Sequence, residues 1–151
     1  MWEDGIRVPL AMRWPKVLPA GRTSDALVSS VDVTATAYQA AGGDPAAARM
    51  DGKDLSSGWG RGVRQELCWR FGESWAIRRG DMKLVQQRDY APMLYVLKND
   101  VGETRDLSGE RPALVAELRA AWQAWDTDNI PALWKQSLGK RPVTPPAGVR
   151  P

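Results

Sequence analysis

The residues that could do chemistry in this chain are few, because it contains no histidine. Without histidine there is no His general base, no Ser–His or Cys–His pair and no His-ligated zinc. The single cysteine, Cys68, excludes an internal disulfide and lies in the strand-like run "QELCWRF", where a small buried side chain is expected. Glu66 and Glu73 could be imagined as paired carboxylates, but no pocket can be argued for them. The residues alone therefore predict no catalytic residue.

Several short loops combine glycine with charged residues. "DGKDL" and "NDVGETRD" cluster carboxylates beside glycine as calcium loops do, but neither has EF-hand ligand spacing. "GWGRG" has a G-x-G spacing without the strand-to-helix setting of a phosphate loop. The RGD triplet in "RRGDMK" falls on a predicted hairpin turn. We expect turns at these loops, with no metal or phosphate site.

Composition limits the classes of protein to which the chain can belong. Its 151 residues, 43% hydrophobic and 26% charged, suit one soluble globular domain of ordinary size. The net charge of +3 comes from interspersed charges of both signs, so nucleic-acid binding is not expected. No stretch is apolar enough to span a bilayer, and the start of the chain does not read as a signal peptide.

The first third of the chain predicts one strand and one helix. Residues 8–14 alternate apolar and other side chains, a period of two that is typical of a strand. "LVSSVDVTATAYQAAGG" predicts a short helix over residues 33–41, with Asp32 or Thr34 at its start and Gly42 at its end. The residues expected on one face of this helix are Val31, Ala35 and Tyr38.

The rest of the chain predicts a small antiparallel sheet covered by a helix. The strands are "QELCWRF", two runs in "SWAIRRGDMKLVQQ" that form a hairpin around Gly80 and Asp81, and "MLYVLKND". The helix is "RPALVAELRAAWQAWDTD", with Pro112 in its first turn. Its apolar stripe is expected to contain Leu114, Val115, Leu118, Ala121, Trp122 and Trp125. Burying each Leu or Trp is worth roughly 1.5–3 kcal/mol, so this stripe could hold helix and sheet together.

The order of these motifs resembles the C-terminal part of the sulfatase family, arylsulfatase type. The segments are "EDGIRVPLAMRWP", "DALVSSVDVTATAYQAAG", "MDGKDL", "LCWRFGESWAIRRGDMKLV" and "LYVLKNDVGETRDL". The family shows E-G-G-I-R-V-P, V-D-x-x-P-T, L-D-G, A-x-R-x-G-x-W-K-L-V and L-Y-x-L-x-x-D-P-x-E-x-x-N-L in the same order. The resemblance covers residues 2–134. Family residues are replaced by Asp4, Lys16, Ala35, Met82 and Val101 in this sequence.

The resemblance implies an α/β fold of the alkaline-phosphatase-like superfamily. Residues 1–48 would be the end of its α/β sandwich, with residues 8–14 as a strand of the large sheet, and residues 49–60 a connecting loop. Residues 61–134 would be the family's C-terminal subdomain, a small antiparallel sheet packed by a helix. Residues 135–151 would be a Pro-rich tail.

The resemblance also implies that the catalytic apparatus lies outside these residues. Family members hydrolyse sulfate esters with a formylglycine, made from a C/S-x-P-x-R motif, and a bound calcium or magnesium ion. The chain has no such motif, and Cys68 lies in "CWRFG". We therefore assign no catalytic or metal residue, and expect an N-terminally truncated sulfatase that is inactive alone. Its partner would be the missing N-terminal half, or a second copy through an exposed strand edge at residues 8–14. Family members are often exported, periplasmic or lysosomal, so the location of this chain stays open.

An alternative from another class is a stand-alone module that binds sulfated glycans with the same fold. Arginine forks suit sulfate geometry and indole rings suit sugar stacking. The residues that could make such contacts are Trp69, Arg70, Trp75, Arg78 and Arg79. The competing interpretation is that the tryptophans pack in the core and the arginines solvate one face of the sheet.

Overall fold

The computed structural model describes residues 1–57 and 64–131. The helices are α1 (Glu3–Ile6), α2 (Ser30–Ala40) and α3 (Pro112–Thr127), and the strands are β1 (Glu66–Phe71), β2 (Ser74–Arg79), β3 (Met82–Gln86) and β4 (Met93–Val96). The chain divides into a sheet unit, Met1–Val8 with the chain from Cys68, and a helical unit, Pro9–Leu67. The predicted Pro-rich tail and the "GWGRG" loop lie outside the described residues. Among the helices described, none has the length and apolar content needed to cross a bilayer.

The sheet has four strands in the order β1-β2-β3-β4. β2 and β3 pair antiparallel from Trp75 opposite Gln86 to Arg79 opposite Met82, and β3 pairs antiparallel with β4. Gly80 turns the β2–β3 hairpin at a φ of +57°, a conformation that glycine adopts without steric cost. The predicted antiparallel sheet and its hairpin are confirmed.

Helix α3 covers one face of the sheet, as the apolar stripe predicted. Pro112 is its first residue, where a missing N–H costs no helical hydrogen bond. Leu118 is fully buried against a cluster that includes Ile77 and Leu84. Trp75 and Trp122 stack with ring centroids 4.7 Å apart. The alternation of β2 places Trp75 and Ile77 under the helix.

The opposite face of the sheet is covered by the start of the chain. Its buried residues are Ala76, Val85, Met93, Tyr95 and Leu97, with Met1, Trp2 and Trp69 packed against them. Trp2 meets Tyr95 edge to face, with ring centroids 6.0 Å apart. Both faces of this small sheet are therefore covered, although an antiparallel sheet can leave one face in water.

The strand predicted for residues 8–14 is wrong. These residues follow α1 without regular structure, and a turn begins where the N–H groups of Val17 and Leu18 donate to the Trp14 carbonyl. Val8 is 77% exposed and Leu10 is 41% exposed. Alternation makes a strand only when a neighbouring strand accepts its hydrogen bonds, and Pro9 cannot donate one. Within the described residues this segment offers no strand edge for a second copy.

Helix α2 is confirmed, but its start and its buried face differ from the prediction. Ser29 is the N-cap, and its N–H donates to Oδ2 of Asp32 at 2.7 Å, so Asp32 lies in the first turn instead of capping the helix. Ala35 is buried as expected, but Val31 and Tyr38 are 45% and 43% exposed. Asp32 and Thr36 are buried with Ala35. Polar contacts inside the helical unit therefore decide which face turns inward.

The units divide the chain differently from the predicted domains. Residues 1–8 make their contacts with the sheet, and the predicted domain bounds of 1–48, 49–60, 61–134 and 135–151 stay a prediction. The division in the second half falls between Leu67 and Cys68, inside β1. The start of the chain joins the sheet because Trp2 and Glu3 make their contacts there.

Candidate functional site

The most concentrated polar chemistry in the sheet unit is a buried cluster of charges around Lys83. Lys83 lies in β3 and is fully buried. Its Nζ lies 3.0 Å from Oε1 of Glu3 and 2.7 Å from Oε1 of Glu103. Both carboxylates are nearly fully buried as well. A buried charge is tolerated only when it is paired, so these groups depend on one another.

Three separate parts of the chain bring these charges together. Glu3 begins α1, and its N–H donates to Oε2 of Glu103 at 2.7 Å. Glu103 lies in the turn after β4 at a φ of +53°. Arg78, from β2, lies 3.5 Å from Oε2 of Glu3. Two carboxylates, one ammonium and one guanidinium make a neutral cluster that ties the start of the chain to the sheet.

The turn that carries Glu103 is organised by Asp100. Oδ2 of Asp100 accepts the N–H of Arg105 at 2.9 Å, and Oδ1 accepts the N–H of Thr104 at 2.9 Å. Burial alone would raise the pKa of Asp100, but these hydrogen bonds outweigh it and hold the pKa below its usual value. The "NDVGETRD" segment is therefore a turn, as predicted, and it presents Glu103 to Lys83.

A second buried carboxylate, Asp32, organises the helical unit. It accepts the Ser29 N–H and the Lys53 N–H, each at 2.7 Å, and Nε of Arg64 at 3.0 Å. Burial raises the pKa of this carboxyl, but the hydrogen bonds from Arg64, Lys53 and Ser29 outweigh it, so the pKa is lowered. Asp32 thereby joins the start of α2 to the loop that follows it.

The "DGKDL" loop is bound to α2 and is a structural turn. Thr36 Oγ1 accepts the Leu55 N–H at 2.9 Å and donates to the Asp32 carbonyl at 2.6 Å. A Cβ on Gly52 would lie 2.8 Å from Cβ of Ala35, which shows how closely the loop backbone approaches the helix. In the described part of the chain no three Asp, Glu, Cys or His side chains come together as a metal site would require.

The predicted glycan-contact tryptophans lie in different surroundings. Trp75 is 7% exposed and stacked on Trp122, so it packs in the core under α3. Trp69 is half-buried, packs on the opposite face of the sheet and accepts the indole N–H of Trp122 through its carbonyl at 3.1 Å. The structure does not bring the two rings into one exposed platform.

The predicted glycan-contact arginines each meet a carboxylate. Arg70 lies 2.7 Å from Asp126, and Arg79 pairs with Glu117, both on α3. Arg78 points to the other face of the sheet, toward Glu3. The three guanidinium groups therefore do not share one face, and their contact with sulfated glycans stays a prediction.

Residues of the charge clusters were not found by sequence reasoning. Glu3 and Lys83 are 80 positions apart, and Glu3 and Glu103 are 100 apart. A local pattern cannot show such pairs. A lysine at an otherwise apolar position, in "DMKLV", is the one local signal that a buried partner is needed.

One helix packs on one face of the sheet, and the start of the chain packs on the other. This architecture is the fold of a sulfatase C-terminal domain. A family described as "N-sulphoglucosamine sulphohydrolase, C-terminal" matches residues 1–113, and the chain belongs to this family. The chain is 28% identical to a sulfatase of Formosa agariphila over 93% of its own length and 31% of that protein. It is 44% identical to human steryl-sulfatase over 36% of its own length and 9% of that protein.

Solved structures agree on the fold. The crystal structure of Ps i-CgsB superposes with a TM-score of 0.67 at 23% identity, over 78% of this chain and 28% of that one. A sulfatase structure from Bacteroides thetaiotaomicron gives a TM-score of 0.59 at 21% identity, over 69% of this chain and 26% of that one. The chain therefore spans about a third or less of the relatives it matches.

Sulfatases generally use a divalent metal and formylglycine, and the described residues do not fit either group. The carboxylates that cluster, Glu3 and Glu103, are neutralised by Lys83, and no third acidic or Cys donor joins them in the described ranges. Cys68 lies in a strand without the C/S-x-P-x-R motif. No reaction step is therefore assigned to these residues.

Proposed function

We propose that this chain is the C-terminal part of a sulfatase, a sulfuric ester hydrolase, and that it supports the catalytic portion without cleaving sulfate esters itself. The observation that carries the proposal is the match of a C-terminal family over residues 1–113, together with the share of 31% of the Formosa agariphila sulfatase that the chain covers. The parent enzyme would supply formylglycine and the metal ion from its other residues.

The charge cluster indicates how the support would work. Glu3 stands at the start of the sheet unit, and Lys83 and Glu103 fix it at 3.0 Å and 2.7 Å. Any residues that precede Glu3 in a parent enzyme would leave the sheet from a fixed point. The domain would thus orient the chain that enters it.

A chimera tests the proposal. In the Formosa agariphila sulfatase, the segment matched by this chain is replaced with residues 1–151, and inorganic sulfate is measured on sulfate esters that the intact relative cleaves. We expect the chimera to be soluble and to release sulfate, while the relative lacking the segment does not.

The chain alone, assayed with calcium or magnesium, should release no sulfate. Metal-dependent sulfate release by the purified 151-residue chain, or a chimera as inactive as the shortened relative, would overturn the proposal. Binding of sulfated oligosaccharides by the isolated chain, in the absence of any rescue of the relative, would favour the stand-alone glycan-binding module.

A further inference from the structure

We propose that Lys83 and Glu103 become joined by an amide bond between Nζ of the lysine and Cδ of the glutamate, with Glu3 carrying the protons. Such a bond is an intramolecular isopeptide cross-link, and its formation needs no cofactor. It ties strand β3 covalently to the turn after β4. The inference concerns the folded sheet unit alone and does not rest on the function proposed above.

The two reacting groups are held together away from water. Lys83 is fully buried, and the carboxylates of Glu103 and Glu3 are nearly so. Nζ of Lys83 lies 2.7 Å from Oε1 of Glu103. In open water an ammonium and a carboxylate do not condense, because both ions are hydrated. Inside the sheet unit that hydration is already lost, and the fixed distance replaces a chance encounter.

The contact between Nζ and Glu103 is not a hydrogen bond. Oε1 of Glu103 is buried and has no hydrogen-bond partner among the described residues, although Nζ is 2.7 Å away, so the direction of approach does not suit one. Nζ does donate to Oε1 of Glu3, at 3.0 Å. A buried oxygen without a hydrogen bond costs stability. Condensation removes this oxygen as water.

The neighbouring groups suit each step of the condensation. Oε1 of Glu3, 3.0 Å from Nζ, takes a proton from the ammonium, and the neutral amine then attacks Cδ of Glu103. The Glu3 N–H donates to Oε2 of Glu103 at 2.7 Å and stabilises the negative charge that Oε2 gains in the tetrahedral intermediate. The N–Cδ bond forms and the Cδ–Oε1 bond breaks. Oε1 leaves as water with two protons that came from the ammonium and passed through Glu3, and Oε2 stays as the amide carbonyl.

The charges of the cluster balance before and after the reaction. The amide consumes one positive and one negative charge. The carboxylate of Glu3 remains, and Arg78 lies 3.5 Å from its Oε2. Two buried ions are thereby replaced by a neutral amide, which removes the cost of keeping them out of water.

Mass spectrometry of the complete chain tests the proposal. The folded 151-residue protein is incubated, denatured and weighed, and then digested with trypsin. We expect a mass that is lower than the sequence mass by one water. Trypsin should not cut at Lys83, because the amide removes its charge. The peptide "GDMKLVQQR", residues 80–88, should therefore be recovered joined to "NDVGETR", residues 99–105.

Three variants separate the roles of the residues, and circular dichroism shows that each is folded. Lys83→Arg keeps the positive charge without the amine, and it should retain the full sequence mass. Lys98→Arg, at an exposed lysine, is the matched control and should lose one water as the unsubstituted chain does. Glu3→Gln should slow the cross-linking by about a hundredfold or more, because the general base is lost.

A folded, unsubstituted chain that keeps its full mass and is cut at Lys83 would overturn the proposal, whatever the variants do. Loss of water that persists in Lys83→Arg would overturn it too, because the dehydration would then lie elsewhere, as at Asp51 before Gly52, where an aspartyl side chain can cyclise. Cross-linking of Glu3→Gln at the unsubstituted rate would overturn the proton transfer assigned to Glu3. These results leave the outcome of the chimera experiment unaffected.

Discussion

At the scale of single residues, buried charge is the main organising feature of both units. Lys83 in the sheet unit and Asp32 in the helical unit are both fully buried, and each meets several partners of complementary character. Groups of this kind stabilise a fold only while their partners are present, because an unpaired charge cannot be solvated inside the protein. Two predictions follow from their surroundings.

Replacing Lys83 with Met should destabilise the sheet unit strongly. The substitution leaves the carboxylates of Glu3 and Glu103 buried without the ammonium group that lies 3.0 Å and 2.7 Å from them. We expect a loss of about 3–5 kcal/mol in the free energy of unfolding. Urea titration followed by tryptophan fluorescence measures it.

The control is the triple variant Glu3→Gln, Lys83→Met, Glu103→Gln. It removes the three most deeply buried charges of the cluster, leaves the more exposed Arg78, and keeps an acceptor for the Glu3 N–H, so it should recover most of the stability lost in the single variant. A single variant that loses less than about 1 kcal/mol would show that the cluster is not needed.

Asp32 should make the helical unit sensitive to acid. Its folded pKa lies below the ordinary value of 3.8, so its stabilising contribution is present above about pH 4 and is lost as the pH falls through the lowered folded pKa. The urea midpoint of the chain should therefore fall between about pH 5 and pH 2.

Asp32→Asn should reduce this acid sensitivity and lower stability at pH 7, since an amide cannot accept all the bonds from Ser29, Lys53 and Arg64. Asp54 and Asp100 have lowered pKa values too, so part of the pH dependence should remain. A variant with the same pH profile as the unsubstituted chain would contradict the role given to Asp32.

Single-residue contacts were the part that the sequence predicted least well. The pairing of Glu3 with Lys83 joins residues 80 positions apart, and nothing in either local pattern identifies the other. The run "RQELCWRFGESWAIRR" suggested one Arg-rich face, but successive strand residues alternate faces, so Arg78 and Arg79 lie on opposite sides.

At the scale of elements, the hydrophobic periodicity of the sequence predicted several helices and strands, and packing against neighbouring elements stabilises those that formed. The hairpin β2–β3, strand β4 and helix α3 were all predicted from local patterns. Helix α3 is buried on its apolar stripe, at Leu118, whereas strands β2, β3 and β4 are short apolar runs that are buried on both faces. Residues 8–14 had an equally regular pattern and failed, because nothing in the described structure pairs with them. A period of two predicts the capacity to form a strand, and the partner decides whether one forms.

The two tryptophans of α3 should differ in what they contribute to this packing. Trp122 stacks on Trp75 at 4.7 Å and donates its indole N–H to the Trp69 carbonyl. Trp125 is 38% exposed and only tilted against Trp122. Trp122→Ala should cost about 3 kcal/mol of unfolding free energy, and Trp125→Ala less than about 1 kcal/mol.

Urea denaturation monitored by far-ultraviolet circular dichroism measures both variants without relying on the tryptophans that are removed. Equal losses in the two variants would show that the stack does not hold α3 to the sheet.

At the scale of the whole molecule, the net charge of +3 raises the question of whether the protein binds a polyanion such as heparin. We expect the triple variant Arg70→Gln, Arg78→Gln, Arg79→Gln to lower retention on a heparin column only slightly, because carboxylates already meet these groups.

The matched control removes the same number of charges at the exposed residues Arg7, Arg13 and Arg22. This control should elute at lower salt than the first triple variant. The reverse order would support the sulfated-glycan module, in which Arg70, Arg78 and Arg79 are contact residues.

The helical unit interrupts the sheet unit in sequence, because Met1–Val8 precede it and the chain from Cys68 follows it. Glu3 is fastened noncovalently to Lys83 and Glu103. A protease nick between residues 9 and 67 would therefore not liberate the first eight residues. The two fragments should co-migrate in native electrophoresis and separate only in denaturant. A native gel would therefore not distinguish the cleaved protein from the intact one.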